Sequence, residues 1–158
     1  MEKMDCLQGV WVGDFSKSSL ISKFPDDDFI FCEENADCWG RVLFDSHGFL
    51  VGYRNIGIKP VGIDVDDQVL VGINGFLISR SEFDKRKNFT YSMPFVFQEF
   101  ALIENDLLVV RDEIGFVGLR LDGNEVWKFC PGAIESYTID GRRLRGVTEE
   151  GEGFDLQI

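Results

Sequence analysis

The sequence predicts an all-β fold, and the stretch of residues 104–127 shows why. From Phe116 to Leu121 the side chains alternate with a period of two, which is typical of a half-buried strand. Asp122-Gly123-Asn124 follows directly, and glycine and asparagine accept a positive φ at little cost, which favours a hairpin turn. The whole chain has 17 glycines and 4 prolines, as expected where tight turns join short strands.

A motif of acidic turn, apolar strand and glycine-led strand occurs four times. The leading glycines are Gly40, Gly75, Gly115 and Gly153, at a spacing of about 40 residues. A repeat of this length is typical of four-stranded propeller blades, so we predict a small four-bladed β-propeller. Residues 7–12 resemble residues 123–128, which suggests that an N-terminal strand completes the last blade and closes the ring. A β-sandwich with coincidental spacing is the alternative.

The length of 158 residues predicts one all-β domain spanning the chain. The predicted repeat units are residues 24–60, 61–98, 99–135, and 136–158 together with 1–20. A short helical turn is predicted between Phe15 and Phe24, with Ser16 or Ser18 as its cap.

The chain is strongly acidic, with a formal net charge of −12. Direct nucleic-acid binding needs a basic face for phosphates, so nucleic acid is not an expected partner. The acidity has two interpretations that composition alone leaves open. It serves solubility, or it matches the surface of a basic partner and raises the rate and selectivity of association.

The four cysteines and the polar N-terminus predict a cytoplasmic protein. The first 15 residues have no long apolar run, so we expect no signal peptide, and no stretch has membrane-spanning length. In this compartment the thiols are mostly reduced. Cys32 and Cys38 are poorly spaced for zinc, which favours packing or a free thiol.

No catalytic set is recognisable, so we predict that the protein is not an enzyme and has no cofactor. His47 is the only histidine and lies in a turn-like context, where an ordinary surface role is expected. One histidine cannot build a histidine-based metal site. Asp64-x-Asp66-Asp67 resembles the start of a calcium loop, but the remaining ligand spacing is absent.

The acidic turns recur at equivalent places in the repeats, and in a ring they would share one face. Turn formation before strands is the simpler role for these carboxylates. If they form an acidic face with a nearby aromatic, they bind a basic partner. The predicted partner-binding residues are Asp26, Asp27, Asp28, Glu33, Glu34, Trp39, Asp64, Asp66, Asp67, Asp112, Glu113, Glu149 and Glu150.

The C-terminal stretch from Leu121 to Ile158 resembles the repeats of quinoprotein-type β-propellers. In those repeats a turn Asp-x-x-Gly precedes a strand with tryptophan, and Asp122, Gly123 and Trp127 are the residues that carry the likeness here. The resemblance implies propeller blades. Members of that family form a larger ring around a quinone, and this chain is too short for one, so the cofactor is not expected.

A small, acidic β protein without catalytic residues also resembles, by type, the immunity proteins of bacterial contact-dependent inhibition systems. This resemblance implies a protein that neutralises a cognate basic toxin, in particular an RNase, by masking its active cleft in a one-to-one complex. No family residue is transferred, because no motif carries the likeness. The alternative is a propeller that binds a sugar or another small molecule through aromatics such as Trp39, Tyr53 or Trp127.

Overall fold

The computed structural model describes residues 6–45, 47–82 and 86–158, without the side chain of Cys6. Within these ranges the protein is all-β, with sixteen strands in four sheets and one short helix. The chain divides into two compact units, residues 5–92 and residues 93–158. The predicted all-β class is therefore confirmed. The single-domain organisation stays a prediction, and residues 1–5 of its last repeat unit lie outside the described part.

The unit of residues 5–92 contains nine strands and the helix. They are β1 (Cys6–Gln8), β2 (Val10–Phe15), α1 (Lys17–Lys23), β3 (Asp28–Cys32), β4 (Cys38–Leu43), β5 (Gly48–Tyr53), β6 (Val61–Val65), β7 (Gln68–Ile73), β8 (Phe76–Ser81) and β9 (Lys87–Ser92).

Two sheets share the core of this unit. One has the order β2-β4-β5-β3, in which β3 and β5 are parallel, and the other has the order β1-β6-β7-β8-β9. Strands β5 and β7 are buried along their whole length, as expected for the continuous apolar runs GFLVGY and QVLVGI. Side chains of both sheets, including Phe49, Val51, Val71 and Ile78, form one apolar cluster.

The unit of residues 93–158 contains β10 (Phe97–Glu104), β11 (Leu107–Asp112), β12 (Phe116–Arg120), β13 (Glu125–Phe129), β14 (Ile134–Asp140), β15 (Arg143–Thr148) and β16 (Gly153–Gln157). Its two sheets, β10-β11-β12-β13 and β14-β15-β16, are antiparallel with neighbours in chain order. Val109, Phe116 and Leu144 lie in its core, with Phe154 packed against them.

Local turn chemistry produces the hairpins as the sequence predicts. Asp66 and Asp67 both have positive φ, 48° and 63°, and join β6 to β7 as a tight two-residue turn. Gly123 has φ of 94° between β12 and β13. The short helix also forms where predicted, and the Ser16 hydroxyl caps it by accepting a hydrogen bond from the Ser19 backbone N–H.

The predicted role of the N-terminal strand is wrong for the described residues. β1 pairs with β6 and β2 pairs with β4, and neither belongs to the sheet of β14, β15 and β16. The likeness between residues 7–12 and 123–128 has a packing origin instead. The indole of Trp11 lies where a Cβ of Gly40 would be, and the indole of Trp127 lies against Gly118 in the same way.

In the described part of the chain, no helix has the length and apolar character needed to cross a membrane.

Candidate functional site

Glu33, one of the predicted partner-binding residues, is an internal structural group. Its side chain is 8% exposed, and its carboxylate accepts hydrogen bonds from the Arg54 backbone N–H and the Asn74 amide, each at 2.8 Å. It ties the loop after β3 to the end of β5 and to the turn between β7 and β8. Because these oxygens already accept hydrogen bonds from donors within the chain, Glu33 has an internal structural role, and its contact with a partner stays a prediction.

Asp112 is also internal. It is fully buried at the end of β11 and accepts hydrogen bonds from three backbone N–H groups, those of Phe95, Ile114 and Gly115. Its partner-binding role stays a prediction, which its complete burial does not favour. Glu113, the next residue, is exposed and remains a candidate for partner contact.

Of the acidic run before β3, Asp27 already has a basic partner within the chain. Its carboxylate lies 2.6 Å from the Arg41 guanidinium, which is stacked 4.0 Å from the centre of the Phe24 ring. Asp26 and Asp28 on either side are exposed. The other predicted acidic residues lie in or beside turns and are exposed, except the half-buried Asp64: these are Glu34, Asp64, Asp66, Asp67, Glu149 and Glu150.

The predicted acidic residues around β3 are divided between its two ends. Asp28 begins β3 and Glu33 and Glu34 follow its other end, so these groups are separated by the length of a strand, about 15 Å. The single acidic face stays a prediction. Within this unit, its members would have to include acidic residues that lie at both ends of β3.

The structure instead brings aromatic and acidic side chains together at one end of the mixed sheet. A cavity of about 250 Å³, here called the Trp39 pocket, is lined by Trp11, Asp14, Phe15, Ser16, Asp37, Cys38, Trp39 and Tyr53. Trp39 is the one member that belongs to the predicted partner-binding set. Two carboxylates and four aromatic rings in one concave site are a suitable lining for an organic cation.

Backbone geometry brings the two carboxylates to this pocket. The pairing of β2 with β4 is irregular between Val12 and Phe15, and Asp14 within this bulge has φ of 69°. Bulges commonly re-aim a side chain beside a site. On the facing loop, the Asp37 backbone N–H donates to the Tyr53 carbonyl and the Asp37 carboxylate accepts from the Asn55 N–H at 2.8 Å.

Packing fixes the orientation of the Trp39 ring. Its indole lies against Gly52 of the adjacent strand, where a Cβ would collide with it, and the Phe29 ring meets it edge-on at 6.1 Å. One cation of this chain already lies over that indole: the Lys17 ammonium is 5.2 Å from the ring centre. The Trp39 face can therefore accept a positive charge in this environment.

The pocket disfavours further negative charge. Burial first, and then the Cys38 thiol and the Asp14 and Asp37 carboxylates, raise the pKa of the Tyr53 hydroxyl to about 12. Burial and Asp37 likewise raise the pKa of the Cys38 thiol. Both groups stay neutral at physiological pH, so the carboxylates set the sign of the local field, which is negative.

The raised pKa of Tyr53 predicts a loss of stability at high pH. The pKa of Tyr53 is about 12 in the folded state and about 10 in the unfolded state. The neutral hydroxyl therefore stabilises the fold fully below about pH 10, and this stabilisation is lost as pH rises through about 12. In a titration followed by tyrosinate absorbance, Tyr53→Phe should lack the component with a pKa of about 12. Its free energy of unfolding should also fall less than that of the wild type as pH rises from about 10 to about 12. An unchanged absorbance titration above pH 10 would contradict the assignment.

A second cavity in the same unit has a different character. It measures about 420 Å³ and is lined by residues of β3, β8 and β9, among them the aromatic Phe29, Phe31 and Phe76 and the basic Arg80 and Lys87. Its basic residues do not suit a basic partner.

At another position in this unit, His47, Asp64 and Glu82 bring one imidazole and two carboxylates close together. One ligand atom of each lies within 4.8 Å of the others.

Sequence reasoning missed most of the pocket because its members are far apart in the chain. Asp14 and Asp37 stand outside the acidic runs, and Trp11 looks like the apolar residue of an ordinary strand. The one usable signal is Gly13-Asp14, which interrupts the alternation of β2 and so indicates a bulge.

A scan against protein-family models finds no match to this chain, and a search of curated proteins finds no significant match.

Proposed function

We propose that this protein acts by binding, and that the Trp39 pocket receives a lysine or arginine side chain of a basic protein. More specifically, we propose an immunity protein that neutralises a cognate basic toxin, a nuclease and in particular an RNase, by masking its active cleft in a one-to-one complex. The observation that carries the proposal is the Trp39 pocket, where aromatic rings and two carboxylates converge. The formal net charge of −12 supports it.

The pocket chemistry suits a basic side chain for two reasons. An arginine or lysine side chain can make a cation–π interaction with a tryptophan ring and a charge-assisted hydrogen bond to a carboxylate at the same time. Both interactions become stronger where water is excluded. Trp39 and Tyr53 are rigid aromatics of the kind that supply most of the binding energy at interfaces.

Exposed carboxylates around the pocket supply long-range attraction. Asp14 and Asp37 line the pocket, and Glu34 lies in the same loop as Asp37. Charges within about 10 Å of an interface raise the association rate at low salt, and salt screens this effect. A nuclease cleft that holds phosphates is basic, so an acidic inhibitor can occupy the position of the substrate's charge.

Affinity purification from the native host tests the proposed function. We expect one small basic protein to be retained, to be released by salt, and to lose nuclease activity when the purified chain is added in equal amount. Recovery of the chain with a bound sugar and no protein partner would instead favour the small-molecule alternative.

Charge changes inside and outside the pocket test its role in the complex. Asp14→Asn with Asp37→Asn should weaken binding of the retained partner by at least about tenfold and reduce the salt dependence of its association rate. Glu135→Gln with Asp140→Asn removes the same charge at exposed positions of β14 and is the matched control. Lys17→Gln removes the competing cation over Trp39 and should strengthen binding. If the two double variants weakened binding equally, the pocket would have no specific role, and only the net charge of the chain would matter for binding.

A sugar or small-molecule site is the second candidate, because tryptophan rings beside carboxylates also suit sugars, whose apolar faces stack while their hydroxyls donate hydrogen bonds. Thermal unfolding with arginine amide and with neutral sugars separates the two, since a ligand raises the melting temperature of the state it binds. Stabilisation by arginine amide alone supports the cation site, and stabilisation by a sugar alone supports the alternative.

We also propose that the four sheets are the blades of a four-bladed propeller. The support is that β6 to β9, β10 to β13 and β14 to β16 pair antiparallel in chain order, over ranges close to the predicted repeat units 61–98, 99–135 and 136–158. β1 also pairs with β6 at the edge of the first of these sheets. The parallel pair β3 and β5 departs from a regular blade.

We further propose a cytoplasmic location, which suits the free thiols of Cys32, Cys38 and Cys130.

A further inference from the structure

Three residues from distant parts of the chain form a mixed cluster of metal-ligating groups. His47 lies in the β4–β5 turn, Asp64 in β6 and Glu82 directly after β8. One ligand atom from each lies within 4.8 Å of the others, and His47 Nδ1 is 3.9 Å from Glu82 Oε1. All three residues are half-buried. A single histidine suffices for such a site, because the other ligands are carboxylates.

We propose that His47, Asp64 and Glu82 form a binding site for a divalent transition-metal cation of the zinc class. One imidazole nitrogen with two carboxylate oxygens is a donor set that Zn²⁺ and its first-row neighbours accept, whereas Mg²⁺ and Ca²⁺ prefer oxygen alone. Three protein ligands leave one coordination position of a tetrahedral ion for water or another ligand.

The present separations are close to those of a ligated site. With metal–ligand bonds of about 2.0 Å, two ligands of a tetrahedral ion lie about 3.3 Å apart. The 3.9 Å between His47 Nδ1 and Glu82 Oε1 therefore needs only a small side-chain adjustment. All three ligand atoms lie within 4.8 Å of one another, a gap of the size that side-chain rotation can close.

Neighbouring groups restrain the His47 ring and the backbone of Glu82. The His47 ring is stacked on Phe44 at 5.6 Å and meets Phe49 edge-on at 5.5 Å, and both phenylalanines are buried. Glu82 is positioned by its backbone N–H, which donates to the Asp67 carbonyl at 3.0 Å. Ligands with fixed orientations lose little freedom when they bind a metal.

The electrostatics of the cluster favour a cation. The ligating oxygens of Asp64 and Glu82 lie within 4.8 Å of each other. Carboxylates held together in a half-buried place repel one another, and a divalent cation relieves that repulsion. A bound ion would also join the β4–β5 turn of one sheet to β6 and β8 of the other, which stabilises the folded unit.

Metal titration of the full chain tests the site. The chain is stripped with a chelator, and Zn²⁺, Mg²⁺ and Ca²⁺ are titrated separately by calorimetry, with Co²⁺ as the spectroscopic probe. We expect one Zn²⁺ per chain, a Co²⁺ spectrum of low coordination number, and a rise in melting temperature with Zn²⁺ that exceeds the rise with Mg²⁺ or Ca²⁺. Absence of saturable Zn²⁺ binding would overturn the proposal.

Single variants assign the ligands. His47→Gln, Asp64→Asn and Glu82→Gln should each weaken Zn²⁺ binding by at least about tenfold and change the Co²⁺ spectrum. Glu135→Gln removes one exposed carboxylate at β14 and should bind Zn²⁺ as the wild type does. Circular dichroism of the metal-free variants separates loss of ligand from loss of fold. Wild-type affinity in His47→Gln, or an equal loss in Glu135→Gln, contradicts the site.

Discussion

Replacing Asp112 with alanine is expected to lower the free energy of unfolding by at least about 3 kcal/mol. The carboxylate is fully buried and accepts hydrogen bonds from the backbone N–H groups of Phe95, Ile114 and Gly115, at 3.0, 2.9 and 2.8 Å. Its removal leaves these three donors without their acceptor at a fully buried position. A loss of this size is a large fraction of the stability of a typical domain. Urea unfolding followed by circular dichroism measures it.

Two variants separate the hydrogen bonds from the charge. Asp112→Asn keeps the shape and one acceptor oxygen, so it should cost less than Asp112→Ala. Glu113→Gln removes the same charge one residue further on, where the side chain is exposed, and should change the free energy of unfolding by no more than about 0.5 kcal/mol. If alanine at position 112 costs no more than glutamine at position 113, the three hydrogen bonds are not a major source of stability.

The contrast between Asp112 and Glu113 shows what a sequence pattern cannot resolve. Both belong to one charged turn after an apolar strand, and the pattern gives them the same expected role. Their roles differ because the segment before β10 lies beside the turn that follows β11. There the Phe95 backbone N–H donates a hydrogen bond to the Asp112 carboxylate. That contact depends on a tertiary arrangement that local spacing does not encode.

Local features were predictable where the chemistry of a few consecutive residues decides the structure. The turn at Asp66-Asp67 and the hairpin at Gly123 follow from the tolerance of these residues for positive φ, and the Ser16 cap follows from its hydroxyl. The Trp39 pocket was not predictable, because it depends on which strand pairs with β2. The partner of an N-terminal strand is a long-range choice that the likeness between residues 7–12 and 123–128 misidentified.

The four repeat glycines are a further case in which equal sequence positions differ physically. A Cβ on Gly115 would collide with the Phe129 carbonyl and lie 2.7 Å from the Cys130 Cα, both of them backbone atoms of the adjacent segment. A Cβ on Gly153 would approach nothing closer than the Gly146 carbonyl at 3.9 Å. The spacing that makes these glycines equivalent in the sequence therefore does not make them equally necessary.

Gly115→Ala is accordingly expected to lower the free energy of unfolding by about 3 kcal/mol or more, and Gly153→Ala by less than about 1 kcal/mol. The first substitution can be accommodated only by moving backbone that pairs β12 with β13, where Phe116 stands opposite Phe129. Both glycines belong to the unit of residues 93–158, so urea unfolding midpoints of the two variants compare directly. Similar losses at the two positions would mean that the repeat itself, and not the close approach of two backbone segments, requires glycine.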